Sequence, residues 1–262
     1  MFSKYYSNNR KFTLNIKITC SSPKRFRVFA GETGQKYSFY ADREIDVEGS
    51  RLIYFSFPVS PKQLTIGCFN IANVEDNDYK VEISESPLKD YNIWVDNDSS
   101  SFLQLAVPFC QVCGYRIPPQ AGLLLKSKDG QYNLKYLPTI TDALTKQRLS
   151  TPARIGHATG LIEISAQKFF KYTVPMRLII LLHEFSHKYK NPIIGLEISN
   201  EIGADIQALY LYLGLGFSKI DAICVFANVF LKAQTNGNIN RMRKILNYIN
   251  RFESQEFAKL NG

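Results

Sequence analysis

Residues 178–190 read LIILLHEFSHKYK, where two of the chain's three histidines, His183 and His187, stand four apart, flank Glu184 and follow five apolar residues. On a helix that spacing offsets two side chains by only about 40° and one turn of rise, so both imidazoles leave one face and can grip a single metal ion. Zinc suits such nitrogen donors and lowers the pKa of a coordinated water toward neutrality. Glu184 stands beside the pair, where its carboxylate can take a proton from that water without ligating the metal. The alternative is two histidines of an amphipathic helix hydrogen-bonded to neighbours. A third ligand separates the two cases, because three protein ligands plus a water make a catalytic zinc site.

A third histidine of the HExxHxxGxxH kind would fall at Ile193, with Lys190 in place of the glycine, so that arrangement is excluded. Fourteen residues beyond His187, however, stands NEIGAD, with Glu201 and Asp205 one helical turn apart. Glu201 can complete the coordination, and Asp205 can accept the free ring N–H of His183 or His187 and set its tautomer. Glu197 shares the helical stripe of Glu201 and is the rival third ligand. Tyr210, Tyr212 and His157 are the candidates for stabilising an oxyanion.

HEFSH…NEIGAD resembles the gluzincin arrangement of zinc metallopeptidases, over roughly residues 135–215. The resemblance implies a compact zincin-like domain: a twisted sheet, an active-site helix, a glutamate helix packed against it, and an edge strand to which a substrate backbone adds. The strand-like GLIEISAQKFF (160–170) stands where that edge strand belongs. The chain departs from the family in its short gap to Glu201, and it carries neither a large helical subdomain of the thermolysin kind nor exopeptidase motifs. The expected activity is that of a zinc-dependent endopeptidase acting on a peptide or protein, with Glu184 as general base. The alternative is a structural component of a tailed-phage particle or other assembly that keeps a zinc-stapled module; the Lys-, Asn-, Ile- and Tyr-rich composition is compatible with that setting.

The elements that must position these residues fall into two halves, expected as domains 1–109 and 110–262 of an α+β protein. KFTLNIKIT alternates Phe12, Leu14, Ile16 and Ile18 with polar neighbours, a period of two. RFRVFAG, LIYFSFPV, LTIGCFNI, KVEISES, YNIWVDN and FLQLAVPF follow, separated by turn clusters such as DVEGS and DNDSS. Short strands at this spacing predict a β-sandwich-like domain with no catalytic constellation, suited to docking on assembly partners. A turn-rich segment from Cys110 joins the halves. Its C-x-x-C pair, Cys110 and Cys113, reads as two buried thiols at a turn or as a partial metal site.

Helices dominate from Ser150 onward. Thr173 caps the His183 helix, with Pro175 in its first turn. A second helix spans 195–216 and closes at Gly214, Ser218 and Asp221 open a third, and a fourth carries Met242, Leu246 and Ile249 as its apolar stripe.

The net charge of +9 is scattered. Its local clusters, PKRFR (23–27) and NRMRK (240–244), read as solvated faces, and no nucleic-acid motif accompanies them. The N-terminus lacks a signal-peptide core, and the longest apolar runs are too short to span a bilayer. Five cysteines fit reduced thiols. The expected location is the cytoplasm, or a virion for a phage protein.

Overall fold

In a computed structural model, residues 1–91, 93–142, 144–189, 201–231 and 235–253 are described. Strands β1 (Phe2–Tyr5), β2 (Phe12–Glu32), β3 (Phe39–Phe57), β4 (Leu64–Asn70) and β5 (Tyr79–Ser86) form one antiparallel sheet in the order β1-β4-β2-β3, with β5 also paired to β2. The period of two is real: Phe12, Leu14, Ile16, Ile18 and Cys20 are buried on one face of β2. A register shift between Cys20 and Lys24 absorbs the intervening SSP (21–23), after which Phe26, Val28 and Ala30 return to the buried face. KFTLNIKIT and RFRVFAG are therefore one 21-residue strand, and the expected sandwich of seven or eight short strands is a single open sheet of five.

FLQLAVPF, expected as a strand, lies in helix α1 (Asn97–Val112). Asp96 caps it by accepting the Ser99 N–H at 2.6 Å, and Phe102, Leu103, Ala106, Phe109 and Cys110 follow helical spacing into the core. The boundary expected between residues 109 and 110 falls inside this helix.

A second sheet contains β6 (Leu123–Lys126), β7 (Asn133–Leu137), β8 (Ala153–Ile155) and β9 (Leu161–Ser165) in the order β6-β7-β9-β8. β7 and β9 are parallel, and the other pairs are antiparallel. The 160–170 stretch is thus an interior strand followed by the short helix α2 (Ala166–Phe169), and the edge beside it is β8. The reason lies in the chain path: Gly156 N–H donates to Leu161 O, closing the turn that lays β8 along β9.

Helix α3 (Val174–Ser186) sits at the centre, between both sheets and helices α4 (Glu201–Gly214) and α5 (Lys219–Val225). Thr173 caps it by accepting the Met176 N–H, and the Ser218 side chain caps α5 in the same way. α5 runs into a π-helical turn, Phe226–Phe230, and α6 (Asn236–Glu253) completes the fold. In α6 the buried face is Arg241, Ile245, Tyr248, Ile249 and Phe252; Leu246 of the expected stripe faces solvent. The part of the second expected helix at 195–200 lies outside the described residues. No helix among the described residues is long and apolar enough to cross a membrane.

One contiguous apolar core runs through both sheets and the helices. Within it α3 carries the fully buried Arg177. Its Nε donates to Phe169 O at 2.9 Å and Nη1 to Cys110 O at 3.1 Å, while Nη2 donates to Tyr37 O. One guanidinium therefore ties α2, the end of α1 and the β2–β3 connection to α3. Gly114 makes room for it, since a Cβ there would stand 2.8 Å from both Nη atoms and 2.1 Å from Tyr37 O. Cys110 and Cys113 lie beside it, buried, with their thiol pKa values pushed up by that burial, Cys113 to about 11.

Each charge-assisted hydrogen bond of this kind contributes about 1.5–3 kcal/mol, and removing the donor strands buried carbonyls. Arg177→Met should lower unfolding stability by about 3–5 kcal/mol in a urea titration. Arg177→Lys should recover less than half of that loss, because an ammonium cannot serve three divergent carbonyls.

Candidate metal centre

α3 is apolar almost all round, and its last turn brings His183 and Glu184 into the interior with it. His183 is 2% exposed and Glu184 8%. His187 follows as the C-terminal cap and is half-buried. The two imidazoles meet at right angles with Nε2 atoms 3.1 Å apart, as the four-residue spacing predicts.

Glu201, the first described residue of α4, faces both of them. Its Oε2 is 3.5 Å from His183 Nε2 and its Oε1 3.5 Å from His187 Nε2. Tetrahedral zinc with bonds of about 2.0–2.2 Å separates neighbouring ligand atoms by about 3.3–3.5 Å. The two His–Glu separations match that spacing, one from each carboxylate oxygen, and the 3.1 Å between the Nε2 atoms is slightly tighter. All three ligand groups lie within 4.8 Å of one another, close enough to hold one ion, and among the described residues they are the one group so placed. The Glu201 side chain is 57% exposed, which opens the cluster to solvent on that side. Glu197, the rival ligand, lies outside the described residues, and Cys110 and Cys113 are not among the residues of this group.

Asp205 is fully buried one turn along α4, with Oδ1 2.9 Å from His183 Nδ1. The contact is close but off the line of the ring N–H. It leaves Nε2 as the His183 nitrogen facing the cluster. Burial pulls the His183 pKa down, but the Asp205 and Glu201 carboxylates outweigh it and raise the value to about 9. His187 shifts the other way, lowered by burial and by the charge on His183. Glu201 is held at about 2, chiefly by its bond with His183, so it stays an anion throughout the neutral range. Glu184 is pushed up by burial, against the pull of His183 and a backbone hydrogen bond from Ile155 at the end of β8.

Of the three oxyanion candidates, His157 is the one in ring contact with the cluster: it is exposed in the β8–β9 turn, its ring 6.1 Å from that of His187. The Tyr210 hydroxyl is occupied elsewhere, donating to Trp94 O at 3.0 Å and accepting the Trp94 N–H at 3.1 Å. Tyr212 stacks on Phe217, with its buried hydroxyl near Asp221 and Arg43. Two residues that do reach the centre carry no local sequence signal. Phe230, in the π-helical turn, lies with its ring 4.3 Å from His183. Arg241, in the basic cluster read as a solvated face, turns inward to Glu201 and Asp205.

Fold and site together define an α+β protein with a His–His–Glu cluster able to hold a metal ion. Comparison with known proteins returns no match, whether to a family model, a curated protein or a solved structure.

His183→Ala should abolish stoichiometric binding of a divalent ion, measured by elemental analysis, and Asp205→Ala should weaken it by about 10–100-fold. Ion binding at pH 7 must also displace the His183 proton, since the metal-free pKa stands near 9. Affinity should therefore climb about tenfold per pH unit up to roughly pH 9 and level off above it. A chelator-competition titration that showed constant affinity from pH 7 to 9 would contradict this assignment.

Proposed function

We propose that the chain is a zinc-dependent endopeptidase of the gluzincin type. The observation that carries the reading is the convergence of His183, His187 and Glu201 with ligand atoms within 4.8 Å of one another, and the buried carboxylate of Glu184 on the same helix turn. A zinc ion held there supplies Lewis acidity and a water activated near neutral pH.

The chain's own groups do the rest. Glu184, with its pKa raised by burial, accepts a proton from the attacking water and passes it to the departing amine. Asp205 orients the His183 ring. β8 is an edge strand whose last residue, Ile155, meets Glu184, so an extended peptide added along it brings its backbone to the cluster. His157, in the turn after β8, is the candidate for stabilising the oxyanion.

A second reading has a specific observation in its favour. Phe2, Tyr6, Leu52 and Tyr54 are about half exposed or more on or beside the N-terminal sheet, which offers apolar surface to a protein partner. On that reading the chain is a structural component of a phage particle or other assembly, with a metal-stapled module; its place is the virion, as against the cytoplasm for the free enzyme.

Glu184→Gln keeps the side chain's size and the three ligands, so zinc content should stay at one per chain. Hydrolysis of any peptide substrate should fall by about 10²–10⁴-fold. Absence of cleavage by the zinc-loaded wild type across broad peptide libraries, together with loss of assembly in His183→Ala, would favour the structural reading.

A further inference from the structure

Arg241 reaches the centre from a third helix. Its Nη2 lies 3.0 Å from Glu201 Oε2 and 2.7 Å from Asp205 Oδ1, and its Nε pairs with Asp205 Oδ2. These are the same two oxygens that face His183: Glu201 Oε2 stands 3.5 Å from its Nε2 and Asp205 Oδ1 2.9 Å from its Nδ1. One guanidinium thus holds both carboxylates that hold the histidine. A planar fork with fixed donor directions suits this task, as a point charge does not. Phe230 lies near both the histidine and the guanidinium, its ring 4.3 Å from the His183 ring and 6.0 Å from Arg241 Cζ.

Charge points the same way. Arg241 sets a positive charge directly against Glu201 and the fully buried Asp205, and removing it would leave the buried carboxylate of Asp205 without that partner.

The position of Arg241 on its helix has a further consequence. From 235 to 244 it is the one buried side chain, whereas Ile245, Tyr248, Ile249 and Phe252 bury the second half of α6. The second half docks by apolar packing, and the first half is fastened to the carboxylates of the centre by Arg241, with Met242 partly buried against the core.

We propose that Arg241 is a positioning residue of the metal centre and couples ion binding to the docking of the first half of α6. This rests on the metal-site reading above. Coupling between two equilibria is reciprocal, so whatever the anchored helix adds to ion affinity, the ion adds to the anchoring of the helix.

The test is zinc affinity by chelator competition, combined with amide hydrogen exchange over 236–244, on the full chain and on Arg241→Met and Arg241→Lys. In the wild type, zinc should slow exchange in 236–244. Arg241→Met should bind zinc about 10–100-fold more weakly, in the range of lost outer contacts, and zinc should no longer alter that exchange. Arg241→Lys keeps the charge without the fork; it should retain the fold and fall between the two. Wild-type zinc affinity in either variant overturns the proposal, as does exchange in the wild type that ignores zinc. A wild type that binds no zinc at all overturns the metal-site reading itself, a result distinct from either of these.

Discussion

α3 has no solvent face. A helix that reads VPMRLIILLHEFS must be enclosed on every side, and enclosure obliges each polar group on it to find a partner inside the protein. Arg177 takes three backbone carbonyls from three other segments. Ser186 turns back on its own helix and donates to Leu182 O at 2.7 Å. His183 takes two carboxylates from α4, and Glu184 the end of β8. The helix is therefore a staple at its start and a ligand platform at its end, for one reason: apolar burial brought charged groups where water cannot serve them.

The same burial sets the electrostatics of the centre. Low polarizability around Asp205 and His183 strengthens their attraction, which is why the imidazole holds its proton to about pH 9 despite being enclosed. Glu184 lacks so close a cationic partner, so desolvation wins and its pKa rises. Two carboxylates beside one histidine are thus driven in opposite directions, Glu201 to a permanent anion fit to ligate and Glu184 upward by burial, as suits a proton acceptor. Environment assigns the roles here; side-chain type does not.

The N-terminal sheet is joined to this centre by more than a linker. α1 carries Phe102 onto Phe185 of α3, ring centroids 4.3 Å apart. Arg43 of β3 donates to Ser218 at 2.8 Å and lies 3.4 Å from Asp221 at the start of α5. The core is continuous from sheet to sheet. The helix that bears the histidines therefore gains rigidity from both halves of the chain, and a ligand set gains precision from a platform that cannot shift.

Short-range signals carried much of this into the sequence. HEFSH on a capped apolar helix, the turn spacing of Glu201 and Asp205, the Thr173 and Ser218 caps and the alternation of β2 all depend on contacts within about four residues, and all of them were legible. The α+β class followed from the same signals. Other features required the folded chain. Whether SSP ends a strand or bulges within it depends on β3 running alongside. FLQLAVPF satisfies either period locally, and the Asp96 cap with an aromatic partner on α3 makes it a helix. That β8 and not β9 lies at the edge is a matter of pairing order. Arg241 sits in a run of basic residues like any solvated cluster, and only the packing of α6 on α4 turns its guanidinium to the two carboxylates. A local pattern records which conformation a segment prefers; where a long charged side chain ends depends on what packs above it, and that is decided by residues 36 and 40 positions away in the chain, Asp205 and Glu201.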